Sequence, residues 1–137
     1  MKNLFKPAVI LGFALALMFA TTACDSTQQP ALNESEVRAY ADPATETLLQ
    51  GLSQGALDMY VQYGNDEFKD AVTQGIFDEV ADQIQAQFGD YVSKEFLSAE
   101  MQQGYVVVHY KATYTDGEIG VRTVFDDSHE IAGQFFE

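Results

Sequence analysis

The sequence predicts an α+β fold in which N-terminal helices pack on a curved, four-stranded antiparallel sheet. Apolar residues recur at helical spacing between residues 42 and 88, and from residue 91 onward they alternate with a period of two. The predicted strands follow one another through short turns, without helices between them. Such connections favour antiparallel neighbours over a parallel sheet with helical crossovers.

Length and composition limit the classes of function. A chain of 137 residues with 47% hydrophobic residues is expected to form one domain with a packed core. Its 21 acidic and 7 basic side chains give a formal charge of −14, so we expect no nucleic-acid partner, because that affinity depends on Lys and Arg at phosphates. The single cysteine excludes an intrachain disulfide framework and a cysteine-rich zinc site.

Residues 1–23 have the organisation of a secretory signal peptide. Lys2 and Lys6 provide a positive start, and residues 8–20 follow without a charged or amide side chain. This run is shorter than the about 20 apolar residues of a membrane-spanning helix. It matches the apolar region of a signal peptide, which has about 7–15 residues.

The residues after this run predict lipid attachment at Cys24. Thr21, Thr22 and Ala23 lead to this only cysteine, and a thiol at the first mature position can accept a diacylglycerol group. The junction resembles a prokaryotic lipoprotein signal, although the family usually carries Leu where Thr21 stands. The resemblance implies a membrane partner through Cys24 and a place at the cell envelope, on the extracytoplasmic face of the cytoplasmic membrane.

Two other interpretations of the N-terminus remain open. An ordinary secreted protein would be cut at the same bond, and the segment could also be retained as an N-terminal anchor. Cleavage before Cys24 would leave five basic and 21 acidic side chains, a formal charge of −16. We expect residues 24–41 to form the lipidated cysteine and a flexible polar tether, and residues 42–137 to form the domain.

The first helix is predicted to begin at Asp42, a good N-cap, with Pro43 at its first position and Gly55 as its end. A weaker turn is indicated near Asn33, with Glu36 three residues later in capping-box spacing. Shorter helical segments are predicted over residues 56–63 and 66–72. The strongest helical pattern covers residues 73–88, ends at Gly89, and places four apolar residues at 3–4–4 spacing: Phe77, Val80, Ile84 and Phe88.

Four strands are predicted over residues 91–101, 105–115, 118–125 and 130–136. The first would place Leu97, Ala99 and Met101 on one side. The second alternates along its whole length, so its two faces can be assigned. One face would carry Val106, Val108, Tyr110, Ala112 and Tyr114, and the opposite face Tyr105, Val107, His109, Lys111 and Thr113.

The order of these elements resembles the nuclear-transport-factor-2-like superfamily, a cone-shaped α+β roll. More narrowly, the chain is similar to an uncharacterised secreted domain also found on lipoproteins. The segments that carry the resemblance are Leu48-Leu49-Gln50-Gly51-Leu52, Phe68-Lys69, Leu97-Ser98, Tyr105-Val106-Val107-Val108, Tyr110-Lys111-Ala112, Val124-Phe125-Asp126 and Ile131-Ala132-Gly133. The resemblance implies the fold and brings no catalytic residue to this sequence.

His109, Tyr60 and Tyr63 are the candidate pocket or interface residues. His109 can titrate near neutral pH and could act as a general base inside the cone, but alternation places it opposite the more apolar face. The aromatic side chains of Tyr60 and Tyr63 could line a pocket or belong to the core. Phosphate-binding loops, nucleophile elbows and metal motifs are missing from the sequence, so no catalytic residue, cofactor or metal is predicted.

Two functions follow from these features. The first is a non-enzymatic envelope lipoprotein that binds a ligand or a partner, with the face of Tyr105, Val107 and His109 contacting a second copy or another envelope protein. The alternative is a small acid–base enzyme, of isomerase or dehydratase type, that works in a pocket of the cone.

Overall fold

The computed structural model describes residues 31–137, which form four helices followed by four strands. The helices are α1 (Glu34–Gln54), α2 (Leu57–Tyr60), α3 (Asp66–Ala71) and α4 (Gln74–Phe88). The strands are β1 (Tyr91–Gln102), β2 (Tyr105–Tyr114), β3 (Gly117–Phe125) and β4 (Ile131–Phe136). The predicted signal peptide, Cys24 and the predicted tether up to residue 30 lie outside the described residues.

The four strands form one sheet in the order β1-β2-β3-β4, with every neighbouring pair antiparallel. The sheet is open and curved, and the buried residues of α1, α3 and α4 pack on one of its faces. The predicted α+β architecture is therefore confirmed. Within residues 31–137, none of the helices combines the length and the apolar character needed to cross a bilayer.

Helix α1 begins earlier than the sequence predicts. Asn33 is its N-cap, and the side-chain oxygen of Asn33 accepts a hydrogen bond from the Ser35 amide at 3.2 Å. Val37 and Ala41 are buried in the core, so residues 34–41 are helix and not flexible tether. The prediction was wrong because only one narrow face of these first turns reaches the core, and their polar residues hide the helical period.

The position of Pro43 also differs from the prediction, since it lies inside α1 and not at its first turn. A proline within a helix removes one backbone hydrogen bond, and packing of the flanking buried residues maintains the helix here. The predicted end is correct. Gly55 has a φ of 68°, a left-handed conformation that glycine adopts without a steric penalty.

The core lies between the helices and the central strands. The predicted inner face of β2 is buried along its whole length, from Val106 at 8% exposure to Tyr114 at 3%. Phe77 of α4 is buried, and the other three residues of its predicted stripe are partly buried against the same core. Two buried hydroxyls, of Thr45 and Thr123, satisfy each other across the helix–sheet interface at 3.3 Å.

Strand β1 contains two irregularities that shift its register. Phe96 pairs with Tyr110, but the next paired residue is Ser98, so Leu97 is an extra residue in a β-bulge. Val92 lies at a second bulge of the same kind. Leu97 is 55% exposed, and the prediction that it shares the buried side of Ala99 and Met101 was wrong because the bulge reverses the alternation.

A layer of polar contacts joins α1 to the sheet. The hydroxyl of Tyr110 donates to Asp42 at 2.9 Å, and the hydroxyl of Tyr91 donates to Glu46 at 2.8 Å. The ammonium group of Lys94 lies 3.4 Å from the same Glu46 carboxylate. Burial and the hydrogen-bonded carboxylates raise the pKa values of Tyr91 and Tyr110 well above the ordinary tyrosine value, so both hydroxyls stay protonated donors.

Candidate binding surfaces

The sheet face that points away from the helices carries an apolar patch. Tyr105 is 43% exposed and Phe135 is 48% exposed, whereas Val107 beside them is only 3% exposed. Together with Val124 and Arg122, they line a shallow groove of about 240 Å³. We call this surface, from Tyr105 on β2 to Phe135 on β4, the open face. Val107 is buried there without belonging to the helix-covered core cluster.

Positive charges lie along the centre of the open face. Arg122 Nε is 3.1 Å from Glu137 Oε1, and the Arg122 guanidinium lies 4.6 Å above the centre of the Phe135 ring. Lys111 Nζ lies 3.5 Å from Glu95 and 3.7 Å from Glu118. Basic and acidic side chains therefore alternate on this face, in contrast to the acidic character of the whole chain.

His109 lies on the open face, as its position in β2 predicts. Its Nε2 atom is 3.5 Å from Glu100, and its Nδ1 atom is 3.8 Å from Glu137. The side chain points away from the face that the helices cover, where Val108 and Tyr110 are buried. His109 therefore lies on the open side of the sheet, and it does not reach a cavity enclosed by the helices.

The two tyrosines singled out from the sequence occupy different environments. Tyr60 is buried against the rings of Phe68 and Phe77, and its hydroxyl donates to Gln134 at 2.8 Å. Burial raises the pKa of Tyr60 to about 12, in keeping with a core position. The side chain of Tyr63 is 43% exposed. The structure thus does not bring His109, Tyr60 and Tyr63 into one site.

A second concave surface lies at the end of the sheet, on the side of the helices. It is a cleft of about 480 Å³ between the start of α1 and the β1–β2 and β3–β4 turns. The residues that line the cleft include Glu36, Val37, Tyr40, Val106, Asp126, Asp127 and His129. The sequence did not indicate this site, because its α1 residues were predicted as tether and its turn residues have no motif.

Asp126 organises the β3–β4 turn beside this cleft. Its carboxylate accepts hydrogen bonds at 3.0 Å from the Asn65 side chain and from the backbone amides of Ser128 and Glu130. Burial acts to raise the pKa of Asp126, but these hydrogen bonds and the nearby His129 outweigh it and lower the pKa below the ordinary value. The Asp126 carboxylate is therefore ionised at neutral pH.

The turn also fixes an aromatic pair at the edge of the cleft. His129 has a left-handed φ of 63°, and its ring stacks on Tyr40 with centroids 4.0 Å apart and planes 2° from parallel. The rings of Tyr40 and Phe125 lie nearly perpendicular with centroids 5.3 Å apart, and Phe125 is fully buried. Among residues 31–137, no group of three or more His, Cys, Asp or Glu side chains is arranged to hold a metal ion.

The comparison with family models identifies the chain. The model of the family described as "Protein of unknown function (DUF3887)" matches residues 45–133, well over half of the sequence. The chain belongs to the DUF3887 family. The matched region runs from the middle of α1 to β4, so it includes the open face up to Gly133 and the β3–β4 turn. No curated protein matches the sequence significantly.

Solved structures resemble this DUF3887 protein in fold. An NMR structure of a protein from Ruminococcus gnavus ATCC 29149 superposes with a TM-score of 0.55 at 13% identity, covering 78% of this chain and 93% of that one. A crystal structure described as an NTF-2 like protein of unknown function, from Burkholderia xenovorans LB400, matches with a TM-score of 0.40 at 10% identity. It covers 73% of this chain and 84% of that one.

A cystatin fold protein from Novosphingobium aromaticivorans gives the same TM-score of 0.40 at 16% identity, over 69% of this chain and 95% of that one. At these identities the similarity concerns the fold, and it transfers no ligand or activity.

Proposed function

We propose that this DUF3887 protein is a cell-envelope lipoprotein whose domain is a non-enzymatic binding module, and that its open face contacts a protein partner. The observation that carries the proposal is the exposed pair Tyr105 and Phe135 around the groove on that face. Aromatic and Arg side chains are enriched at protein interfaces, where they provide large contact areas. The open face combines both types of side chain with an apolar centre.

A second copy of the chain is the partner that the charges of the open face favour. Lys111 and Arg122 lie on the same face as Glu95, Glu118 and Glu137. In a two-fold interface the same patch meets itself, so the basic groups of one copy can face the acidic groups of the other. A partner surface of a single charge would instead be repelled by the groups of the same sign.

Light scattering over a concentration series tests this association. The mature chain carrying Cys24→Ser is used, because it removes the proposed lipid site. We expect a concentration-dependent dimer, and we expect the double variant Tyr105→Ser and Phe135→Ser to shift the equilibrium to monomer. The matched control is Tyr63→Ser with Ile76→Ser, since these residues have similar exposures of 43% and 50% and lie outside the open face.

Two outcomes would count against the proposal. A strict monomer at the highest concentration would exclude a dimer through this face. An equal loss of association in both double variants would mean that exposed apolar area in general, and not the open face, holds the copies together.

The anchor is tested separately by mass spectrometry of the membrane fraction. We expect a mature N-terminus at Cys24 with a mass increase from a diacylglycerol group, and release of the protein from membranes in the Cys24→Ala variant. An unmodified Cys24 in a freely soluble protein would contradict the anchor and leave the binding proposal untouched.

A further inference from the structure

The cleft at the start of α1 is independent of the partner surface proposed above. Val106 lines the cleft, whereas the next residue, Val107, lines the groove on the open face. Neighbouring residues of a strand point to opposite sides of the sheet, so the two surfaces lie on different sides. The cleft volume of about 480 Å³ falls within the range of about 300–1,000 Å³ for small-molecule sites.

The inner walls of the cleft are apolar and rigid. Val37 and Val106 are 4% and 8% exposed, so they form part of the core as well as the cleft wall. The Tyr40 ring is held between Phe125 and the stacked ring of His129. A ligand with an apolar body would bury this surface without ordering flexible side chains, which lowers the cost of binding.

Carboxylates predominate among the side chains around the cleft that can carry a charge. Glu36, Asp126 and Asp127 line it together with His129, and among residues 31–137 no Lys or Arg lines it. The Asp126 carboxylate is occupied by its turn, but it adds a fixed negative charge. Glu36 and Asp127 are exposed and make neither an ion pair nor a hydrogen bond within the described part of the chain. Their carboxylates are therefore free to pair with a cationic group.

The geometry points to a binding site for a small amphipathic amine. Its protonated nitrogen would lie beside the carboxylates of Glu36 and Asp127, and its apolar body would contact Val37, Val106 and the Tyr40–His129 ring pair. The unpaired carboxylates of Glu36 and Asp127 attract a cationic group, and contact of the apolar body with the cleft wall holds that group beside them. An anion of equal shape would be repelled by three carboxylates and by the formal charge of −14.

Three probes that share one apolar body separate the effect of charge from that of shape. Titration calorimetry of the mature Cys24→Ser chain would use 4-phenylbutylamine, 4-phenylbutan-1-ol and 4-phenylbutanoate. We expect the amine to bind at least about ten-fold more tightly than the alcohol, and the acid to bind more weakly than either. Amide shifts in NMR spectra should change at the start of α1 and in the two turns.

Two double variants test whether the carboxylates of Glu36 and Asp127 bind the amine. The double variant Glu36→Gln and Asp127→Asn should reduce the affinity for the amine about ten-fold and leave that for the alcohol unchanged. The control Glu34→Gln with Asp70→Asn removes the same charges at exposed positions outside the cleft, and Glu34 shares the first turn of α1 with Glu36. The control should therefore keep the wild-type affinity.

The inference is overturned by any of three results: the amine binds no more tightly than the alcohol, both double variants lose equal affinity, or the shifted amides lie on the open face. Because the open face takes no part in this experiment, a negative result here does not bear on the proposed partner surface.

Discussion

At the scale of single residues, the buried tyrosine hydroxyls differ in what they contact. Tyr110 donates to Asp42 and Tyr60 donates to Gln134, whereas the hydroxyl of Tyr114 has no hydrogen-bond partner among residues 31–137. A buried hydroxyl stabilises a fold only if its hydrogen bond replaces the one it made to water. These tyrosines therefore contribute unequally to stability.

The first prediction compares two conservative substitutions. Tyr110→Phe should lower the free energy of unfolding by about 1 kcal/mol, because it removes the bond to Asp42 and leaves the packing intact. Tyr114→Phe should lower it by less than about 0.5 kcal/mol or raise it. Urea unfolding followed by circular dichroism measures both values. A larger loss for Tyr114→Phe than for Tyr110→Phe would be incompatible with these contacts.

The second prediction concerns alkaline pH. Burial raises the pKa values of Tyr60 and Tyr114 to about 12, whereas tyrosines of the unfolded chain ionise near their ordinary pKa of 10.0. Above this value the unfolded chain loses protons that the folded chain keeps, so unfolding becomes easier as pH rises. Between pH 10.0 and about 12, each of these two tyrosines should lower the free energy of unfolding by about 1.4 kcal/mol per pH unit. Below pH 10.0 their contribution to the free energy of unfolding is constant.

Urea unfolding at a series of alkaline pH values would measure this slope. The double variant Tyr60→Phe and Tyr114→Phe serves as the control, because it removes two of the titrating groups and should make the slope shallower. A free energy of unfolding that stays level as the pH rises above 10.0 would show that these hydroxyls titrate normally.

At the scale of elements, the bulge in β1 keeps Leu97 out of the core. Leu97 lies at a bulge and is 55% exposed, whereas Leu48 of α1 is 1% exposed. Leu97→Ala should change the free energy of unfolding by less than about 0.5 kcal/mol. Leu48→Ala should lower it by about 2–5 kcal/mol, because it leaves a cavity in the core. Chemical denaturation compares the two, and equal losses would place Leu97 in the core.

The same elements show which structural features the sequence pattern predicts correctly and which it does not. The pattern of α4 and β2 is complete, since a full helical stripe and a full alternation each face the core, and both were predicted with nearly correct ends. The start of α1 and the register of β1 were not predicted correctly. A helix whose buried residues in its first two turns are Val37 and Ala41 shows little period, and a bulge leaves no mark in composition.

At the scale of the whole molecule, the two faces of the sheet differ in chemistry at the end that carries the β1–β2 turn. The open face is mixed in charge and centred on aromatic side chains, and its β2 residues Tyr105, Val107 and His109 follow from alternation in the sequence. The cleft combines α1, two turns and the inner face of β2. Since these segments are distant in the chain, only the packed fold brings them together.

The most direct test of the open face as an interface is methyl NMR of the mature Cys24→Ser chain at increasing concentration. Val107 and Val124 line the groove on the open face, whereas Val106 and Val108 belong to the helix-covered core and serve as internal controls. We predict that the methyl signals of Val107 and Val124 shift with concentration while those of Val106 and Val108 stay constant. Constant signals from all four valines, or shifts confined to the two core valines, would contradict the proposal.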